Sequence, residues 1–437
     1  MNAHNRRLTA ALLAGAVALT LLPWYSLEQG FFSGEWLFSL WTDENSAPAL
    51  GQLALRSWLS IAVALWLLSA ASVFLPPGRT RSTLLLLFSV TGILFLVLEG
   101  HAIGFSGWNW LWLEHIAGPQ ALGQPAMGAG ALLLLTVFLL IFAFALAERG
   151  VLKGDAFVVA SIVLLVALVT TFVLYPVLSL FVASVQDIDG SFKPDGLIAN
   201  MQDPAIWSLS CFTGGTCGTA WRTLGLALMT ASGSTLLGLA FALAATRTSL
   251  PCKKALRMLT ILPIITPPFV IGLALILLFG RSGVVTESLA TLFGIEPGRW
   301  LYGLTGIWIA QVLSFTPIAF LVLIGVVEGV SPSLEEASQT LRASRWRTFS
   351  RISLPLMAPG LANAFLISFI ESMADFGNPM VLGGSHGVLS TEIFFSVVGA
   401  QNDPSRAAVL AMILLGFTLA AFLVQRIWLS GKSFATV

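Results

Sequence analysis

Glu336-Ala337-Ser338-Gln339-Thr340-Leu341-Arg342, separated by nine residues from Ile352-Ser353-Leu354-Pro355, lies in a basic stretch between two long apolar segments. Ser331 before Pro332 is a helix-start pattern, and Ser333 with Glu336 has capping-box spacing, so a helix is predicted to open here. Leu334, Ala337 and Leu341 then share one face. In an aqueous loop that face needs a cover, either from the rest of the chain or from a partner's groove. Ala337 permits close approach, while Glu336 and the arginines supply rim contacts. A second short helix from about Arg345 through Ile352 is expected to present Trp346, Phe349 and Ile352 before Leu354-Pro355 ends it.

The surrounding sequence places this loop on a membrane protein. Of 437 residues, 57% are hydrophobic and only 10% charged, against about 25% charged in an ordinary soluble domain. The mean hydropathy is +0.89. Runs apolar enough to cross a layer of about 30 Å fall near residues 8–24, 53–75, 83–104, 126–147, 156–184, 222–246, 257–280, 302–327, 359–382 and 407–428. Lipid offers backbone groups no hydrogen-bond partners, and none of these runs alternates as a barrel strand does, so they read as helices. The expected fold class is an all-α integral membrane protein with about ten transmembrane helices.

Loop charges sort into two sets. Arg6, Arg7, Arg79, Arg81, Arg149, Lys153, Lys253, Lys254, Arg257, Arg345, Arg347, Arg351, Arg426 and Lys432 fall on one side. Glu28, Glu35, Asp43, Glu44, Glu99, Glu114, Asp187, Asp189, Asp195 and Asp203 fall on the other. The positive-inside rule then puts both termini and the quoted loop in the cytoplasm. A net charge of +1 gives no reason to expect a nucleic-acid partner. The first segment has a basic start, but Pro23-Trp24-Tyr25-Ser26 lacks a small-x-small cleavage pattern, so an uncleaved helix is expected. Cys211 and Cys217 share the long acidic outer loop, where a disulfide is expected because two intervening glycines let so short a loop close.

A polar linker near Glu148–Asp155 divides a four-helix region, residues 1–150, from a six-helix region, residues 155–437. No chemistry is assigned to the first region. Its Trp24, Trp36, Trp41, Trp58, Trp108, Trp110 and Trp112 read as interfacial anchors. In the second, Pro263, Pro267 and Pro268 must break or kink one segment, and Pro317 and Pro379 interrupt two more. Broken helices at membrane depth point toward a translocation path.

After the quoted loop, Phe369-Ile370-Glu371-Ser372-Met373-Ala374-Asp375-Phe376-Gly377-Asn378-Pro379 places two acids four residues apart, hence on one helical face. Counted from Pro359, they lie roughly 18 and 24 Å into the bilayer. Carboxylates at that depth normally face a bundle interior or water. Glu371 and Asp375 are the candidate transient metal site for a hard cation, with Asn363 and Ser368 as weaker polar contributors to the substrate path. The other reading is hydrogen-bonded or protonated carboxyls that hold helices together.

The Glu-Ala pair, the nine-residue gap and the Ile-x-Leu-Pro ending resemble the EAA loop of binding-protein-dependent ABC importer permeases of type I. The resemblance implies a six-helix permease core, preceded here by four additional helices, with the coupling loop at 331–356. It implies ATPase-coupling roles for Glu336, Ala337, Leu341, Arg342, Trp346, Phe349, Leu354 and Pro355. The family's usual glycine is replaced by Arg342, which leaves open a looser turn or a weaker coupling. Ala358-Pro359-Gly360-Leu361-Ala362-Asn363-Ala364 and Phe376-Gly377-Asn378-Pro379 are similar to permeases of iron(III) importers, which often fuse two permease halves. The chain is therefore expected to be a transport subunit, not an enzyme, of the bacterial inner membrane.

By the same resemblance, its partners are an ATPase dimer carrying ATP and magnesium, a periplasmic binding protein delivering iron(III), and membrane lipid. A second permease half is expected from a homodimer, a partner chain, or a missing C-terminal part. The chain itself is expected to carry no cofactor: Gly431-Lys432-Ser433 imitates a P-loop ending, but the earlier glycine is Arg426. Polyamine and thiamine are the rival cationic substrates. An ion-coupled secondary transporter is the rival class, and it has no need of an EAA loop.

Overall fold

A computed structural model describes residues 3–41, 46–105, 107–109, 113, 115, 123–186, 192–399 and 402–430. Asp43, Glu44, Trp110, Trp112, Glu114, Asp187, Asp189 and Lys432, invoked above, lie outside them. Eight of the described helices are long and apolar enough to cross a membrane. The other two expected segments are shorter or more polar. Helix α1 (Ala3–Thr20) opens with Ala-His-Asn-Arg-Arg, and the apolar stretch Ser57–Ser72 contains α2 (Ser60–Ser72).

The chain forms two compact units, Met1–Pro176 and Val177–Val437. In the first, α3 (Arg79–Ala102) and α4 (Ala129–Glu148) are the spans, and α4 packs against both α1 and α3. Leu8, Leu85, Leu96, Leu134, Phe138 and Ile141 fill the shared core. A methyl at Gly92 would stand 2.6 Å from the Phe138 ring, so the glycine lets α3 and α4 approach. The stretch at 148–155 is a tight turn, with Gly150 at φ 87°. Asp155 caps α5 (Ala156–Ala183) by accepting from the Phe157 and Val158 amides at 2.9 and 3.3 Å. The following helix therefore folds back on α4, and the division between units falls at Pro176, inside α5, rather than in the linker.

The second unit is built on α6 (Thr219–Arg247), α10 (Leu304–Gly329) and α12 (Arg345–Ala374), which pack against one another. Small residues set the spacing. A methyl at Gly238 would meet Ala319 Cβ at 2.9 Å, and one at Gly360 would meet Val326 Cγ2 at 2.3 Å. The proline-rich segment breaks as expected. Helix α7 (Lys253–Ile261) ends in a 3-10 turn, Thr266 is extended, and α8 (Pro268–Phe279) and α9 (Val284–Phe293) follow. The expected interruption at Pro317 is absent: α10 runs through it, its middle packed among other helices, and membrane helices tolerate a proline where neighbours and local adjustment re-satisfy the freed backbone group.

The loop helix α11 (Pro332–Thr340) precedes α12. Leu354-Pro355 does not end the second loop helix, contrary to expectation. Phe349–Ser353 forms a π turn in which the Leu354 amide reaches back to the Phe349 carbonyl, and the helix continues to Ala374. Widening the turn relieves the clash that a proline ring makes with the carbonyl four residues earlier. The break comes at Asp375 (φ −65°, ψ 117°). It is followed by α13 (Gly377–Leu382), α14 (Leu389–Val398) and α15 (Pro404–Ser430).

Candidate functional site

The loop of residues 331–356 is a helical hairpin whose root is held by one arginine. Arg247, at the end of α6, donates from Nη2 to the Val327 and Val330 carbonyls at 3.1 and 2.6 Å. Its Nε lies 3.5 Å from Glu335 Oε2, and Ser353 Oγ donates to Glu335 Oε1 at 2.8 Å. One side-chain cluster thus joins the ends of α6 and α10 to both arms of the hairpin. Farther out, the buried hydroxyls of Ser338 and Thr348 are 2.9 Å apart and cross-link the arms.

The capping box predicted from Ser333 and Glu336 does not form. Ser331 makes no side-chain cap and instead pairs with the Ser333 hydroxyl at 2.7 Å. Pro332 at the first helical position and the extended Ser331 start the helix without it. Glu335, not Glu336, turns toward the body, and Glu336 is exposed.

The tip bears on one of the two alternatives raised by Arg342, the looser turn. Its φ is 62°, the left-handed conformation that a glycine takes without strain. The Ala343 amide bonds the Ser338 carbonyl at 3.2 Å, and the Arg342 amide bonds Gln339 at 2.9 Å. The turn is therefore closed rather than loose, with a non-glycine strain of roughly 1 kcal/mol.

Among the described residues, this frame leaves an apolar face uncovered. Leu341 is 84% exposed and Trp346 73%; Leu334 and Ala337 are exposed beside them on α11. Phe349 is half-buried against the cluster at the base of α6 and α10, with its ring centroid 5.8 Å from that of Trp346. Leu354 is half-buried and Pro355 exposed. Of the two covers that the amphipathic face could have had, the described residues of the chain do not supply one.

The four residues read as a substrate path do not converge. Glu371 and Asp375 differ in environment: α12 breaks at Asp375, which is buried, whereas Glu371 one turn earlier is exposed. Asp375 is buried and saturated. Oδ2 accepts from Gln311 Nε2 and Asn378 Nδ2, both at 2.9 Å, and Oδ1 accepts from the Gly377 and Asn378 amides at 3.1 and 3.3 Å. Four donors on one carboxylate fasten it to the first amides of α13 and make it a tie between helices. Glu371 is exposed on α12. Asn363 accepts from Gln425 of α15 at 2.7 Å, and Ser368 is fully buried. Among the described residues no cluster of three His, Cys, Asp or Glu stands ready for a metal.

Gln311 was not singled out by sequence reading, yet it is the hub of this region. Its Oε1 accepts from Thr230 of α6 at 2.9 Å and from Ser372 of α12 at 2.7 Å, while its Nε2 reaches Asp375. A lone glutamine within an apolar 26-residue helix was the available signal. In the loop before α6, Cys211 and Cys217 are bonded as expected, with Cα atoms 4.7 Å apart.

A family model described as "Binding-protein-dependent transport system inner membrane component" matches residues 234–428, spanning α6 to α15 with the hairpin inside it. The molybdenum transport system permease protein ModB of Haemophilus influenzae is 32% identical over 181 residues, 39% of this chain and 74% of that protein. The chain belongs to this family of multi-pass membrane permeases. The putative ferric transport system permease protein FbpB 1 of Haemophilus influenzae is 43% identical over 315 residues, 71% of this chain. The chain spans about half the length of the ferric relatives it matches, 48% of this one. In fold, it resembles a chain of a bacterial alginate ABC transporter, with a TM-score of 0.50 at 20% identity over 64% of this chain and 96% of that one.

Proposed function

We propose that this chain is a membrane subunit of an ATP-driven importer that carries iron(III) across the bacterial inner membrane, with both termini cytoplasmic. The observation that carries the first part is the hairpin: a turn braced at root and waist that presents Leu341 and Trp346 to solvent. Large apolar side chains held exposed on a rigid frame suit a partner's groove. That partner is an ATPase dimer holding ATP and magnesium, and no step of hydrolysis falls to this chain. When its subunits close, the hairpin moves with them, and Arg247 with Glu335 passes the displacement to the ends of α6 and α10.

Iron(III) rests on the ferric relatives and not on an assembled cation site. At 43% identity over 315 residues they stand nearer than the molybdenum relative at 32% over 181. A periplasmic binding protein delivers the ion to the outer loops. Glu371, a carboxylate exposed on a membrane helix, is too costly to leave against lipid. Its face of α12 therefore looks onto water or onto a second permease half, contributed by another copy, a partner chain or further sequence.

The test is uptake of radiolabelled ferric ion into proteoliposomes holding this chain with its ATPase and binding protein. ATP-dependent accumulation is expected, unaffected by excess molybdate, polyamine or thiamine, and falling at least about tenfold in Glu336→Ala. Accumulation of one of the competitors in place of iron would move the substrate, and uptake indifferent to ATP would remove the class.

A further inference from the structure

The first unit carries a basic cavity that the transport reading leaves unused. A recess of about 600 Å³ is lined by Gly78, Arg79, Ser82, Thr83, Glu148 and Arg149. It sits where two spans meet water at the same end, since Arg79 opens α3 and Arg149 directly follows α4. The charges around it are arranged in two tiers. Beneath, fully buried Arg81 lies 3.3 Å from Glu148 Oε2, and Glu148 Oε1 accepts from the Gly78 amide at 2.9 Å. Arg81 also donates to Asn5 at 2.8 Å.

Above this neutral pair, Arg149 is held in place by Nε donating to Ser82 Oγ at 3.3 Å and Nη2 to Thr83 Oγ1 at 2.7 Å. These bonds occupy two of its five donors. Arg79 lines the same recess and is exposed. Arg79, Arg81 and Arg149 against Glu148 leave two positive charges in excess at the membrane surface. One face of α3 runs from Arg79 and Thr83 into Leu87, Val90 and Leu94, all three exposed. Cationic forks and hydroxyls at the interface therefore continue into a strip of apolar side chains toward the bilayer interior.

We propose that this recess binds the headgroup of an anionic phospholipid, with its phosphate between Arg79 and Arg149 and an acyl chain along Leu87, Val90 and Leu94. Arginine suits this position because its planar fork bonds two phosphate oxygens at once. Each arginine near such a surface contributes about 1 kcal/mol to anionic-lipid binding, and pockets of this kind between helices are where such headgroups settle. A free phosphate would use the same two arginines but gain nothing from the apolar strip. The proposal stands independently of the substrate and of the ATPase.

The test is native mass spectrometry of the full chain in detergent, titrated separately with phosphatidylglycerol, phosphatidylcholine and inorganic phosphate. Phosphatidylglycerol is expected to bind at a stoichiometric site that phosphatidylcholine does not fill. The Kd should rise about fivefold in Arg79→Ala and about 30-fold in Arg79→Ala with Arg149→Ala, following the figure per arginine. Arg426→Ala, which removes equal charge from another helix end, should leave the Kd unchanged. Arg79→Ala disturbs no hydrogen bond of the Arg79 side chain found among the described residues, so its result reads the site even if the double variant is unstable. Equal binding of both lipids, a Kd indifferent to Arg79→Ala, or displacement of the lipid by inorganic phosphate at similar concentration would overturn the proposal.

Discussion

Replacing Leu341 and Trp346 together by aspartate is expected to detach the ATPase subunit while leaving the permease folded. Both side chains are largely exposed, so the isolated chain loses little packing and its thermal midpoint should move by no more than a degree or two. In the complex, the same positions are to lie in a groove. Truncation of a buried interface anchor commonly costs 2 kcal/mol or more, and a carboxylate in its place adds desolvation. Association should weaken on the order of 100-fold or more, measured as ATPase co-purifying with tagged permease. Retained co-purification would mean that Leu341 and Trp346 face something other than the motor.

The second large effect is expected at Asp375. Asp375→Ala removes the acceptor for Gln311 Nε2, Asn378 Nδ2 and the amides of Gly377 and Asn378 at once. Donors left buried without partners cost about 1–3 kcal/mol each where the structure cannot relax. A loss of about 3 kcal/mol or more is expected, read as a clear drop in the thermal midpoint of the purified chain. Asp375→Asn keeps one acceptor oxygen and should fall between. Glu371→Gln, on an exposed side chain, should leave stability unchanged. This contrast separates a structural cap from a cation ligand: an Asp375→Ala chain of normal stability that fails only in iron uptake would return the residue to the substrate path.

Much of the hairpin was legible because its signals are local. Pro332, the spacing of Leu334, Ala337 and Leu341, and the start at Arg345 are all properties of consecutive residues, and the structure follows them. What sequence could not supply was direction toward the rest of the fold. Glu335 and Glu336 are adjacent acids, and only the position of Arg247 decides which turns inward. Likewise, the spacing of Glu371 and Asp375 does not tell which of the two the neighbouring helices cover. Asp375 is the buried one, at the point where α12 breaks, and it is held by Gln311 from 64 positions earlier. The proline rule failed in a similar way at Pro355 and Pro317, where a π turn and a long buried helix absorb the missing N–H. The ten apolar runs were readable as helices and so was the break across residues 263–268, but the break at Asp375 was not, because it depends on which distant side chains satisfy the exposed backbone.

The central claim is that the 331–356 hairpin is the contact through which a separate ATPase drives this permease. The most direct measurement is photo-cross-linking from a thiol-reactive label on Ala337→Cys, in a Cys252→Ser background that removes the exposed free cysteine, within the assembled complex. The account predicts a cross-link to the ATPase subunit, mapped to one groove, whose yield changes when ATP is added. Labels that attach only to lipid or to this chain itself, in a complex that still hydrolyses ATP and transports, would contradict it.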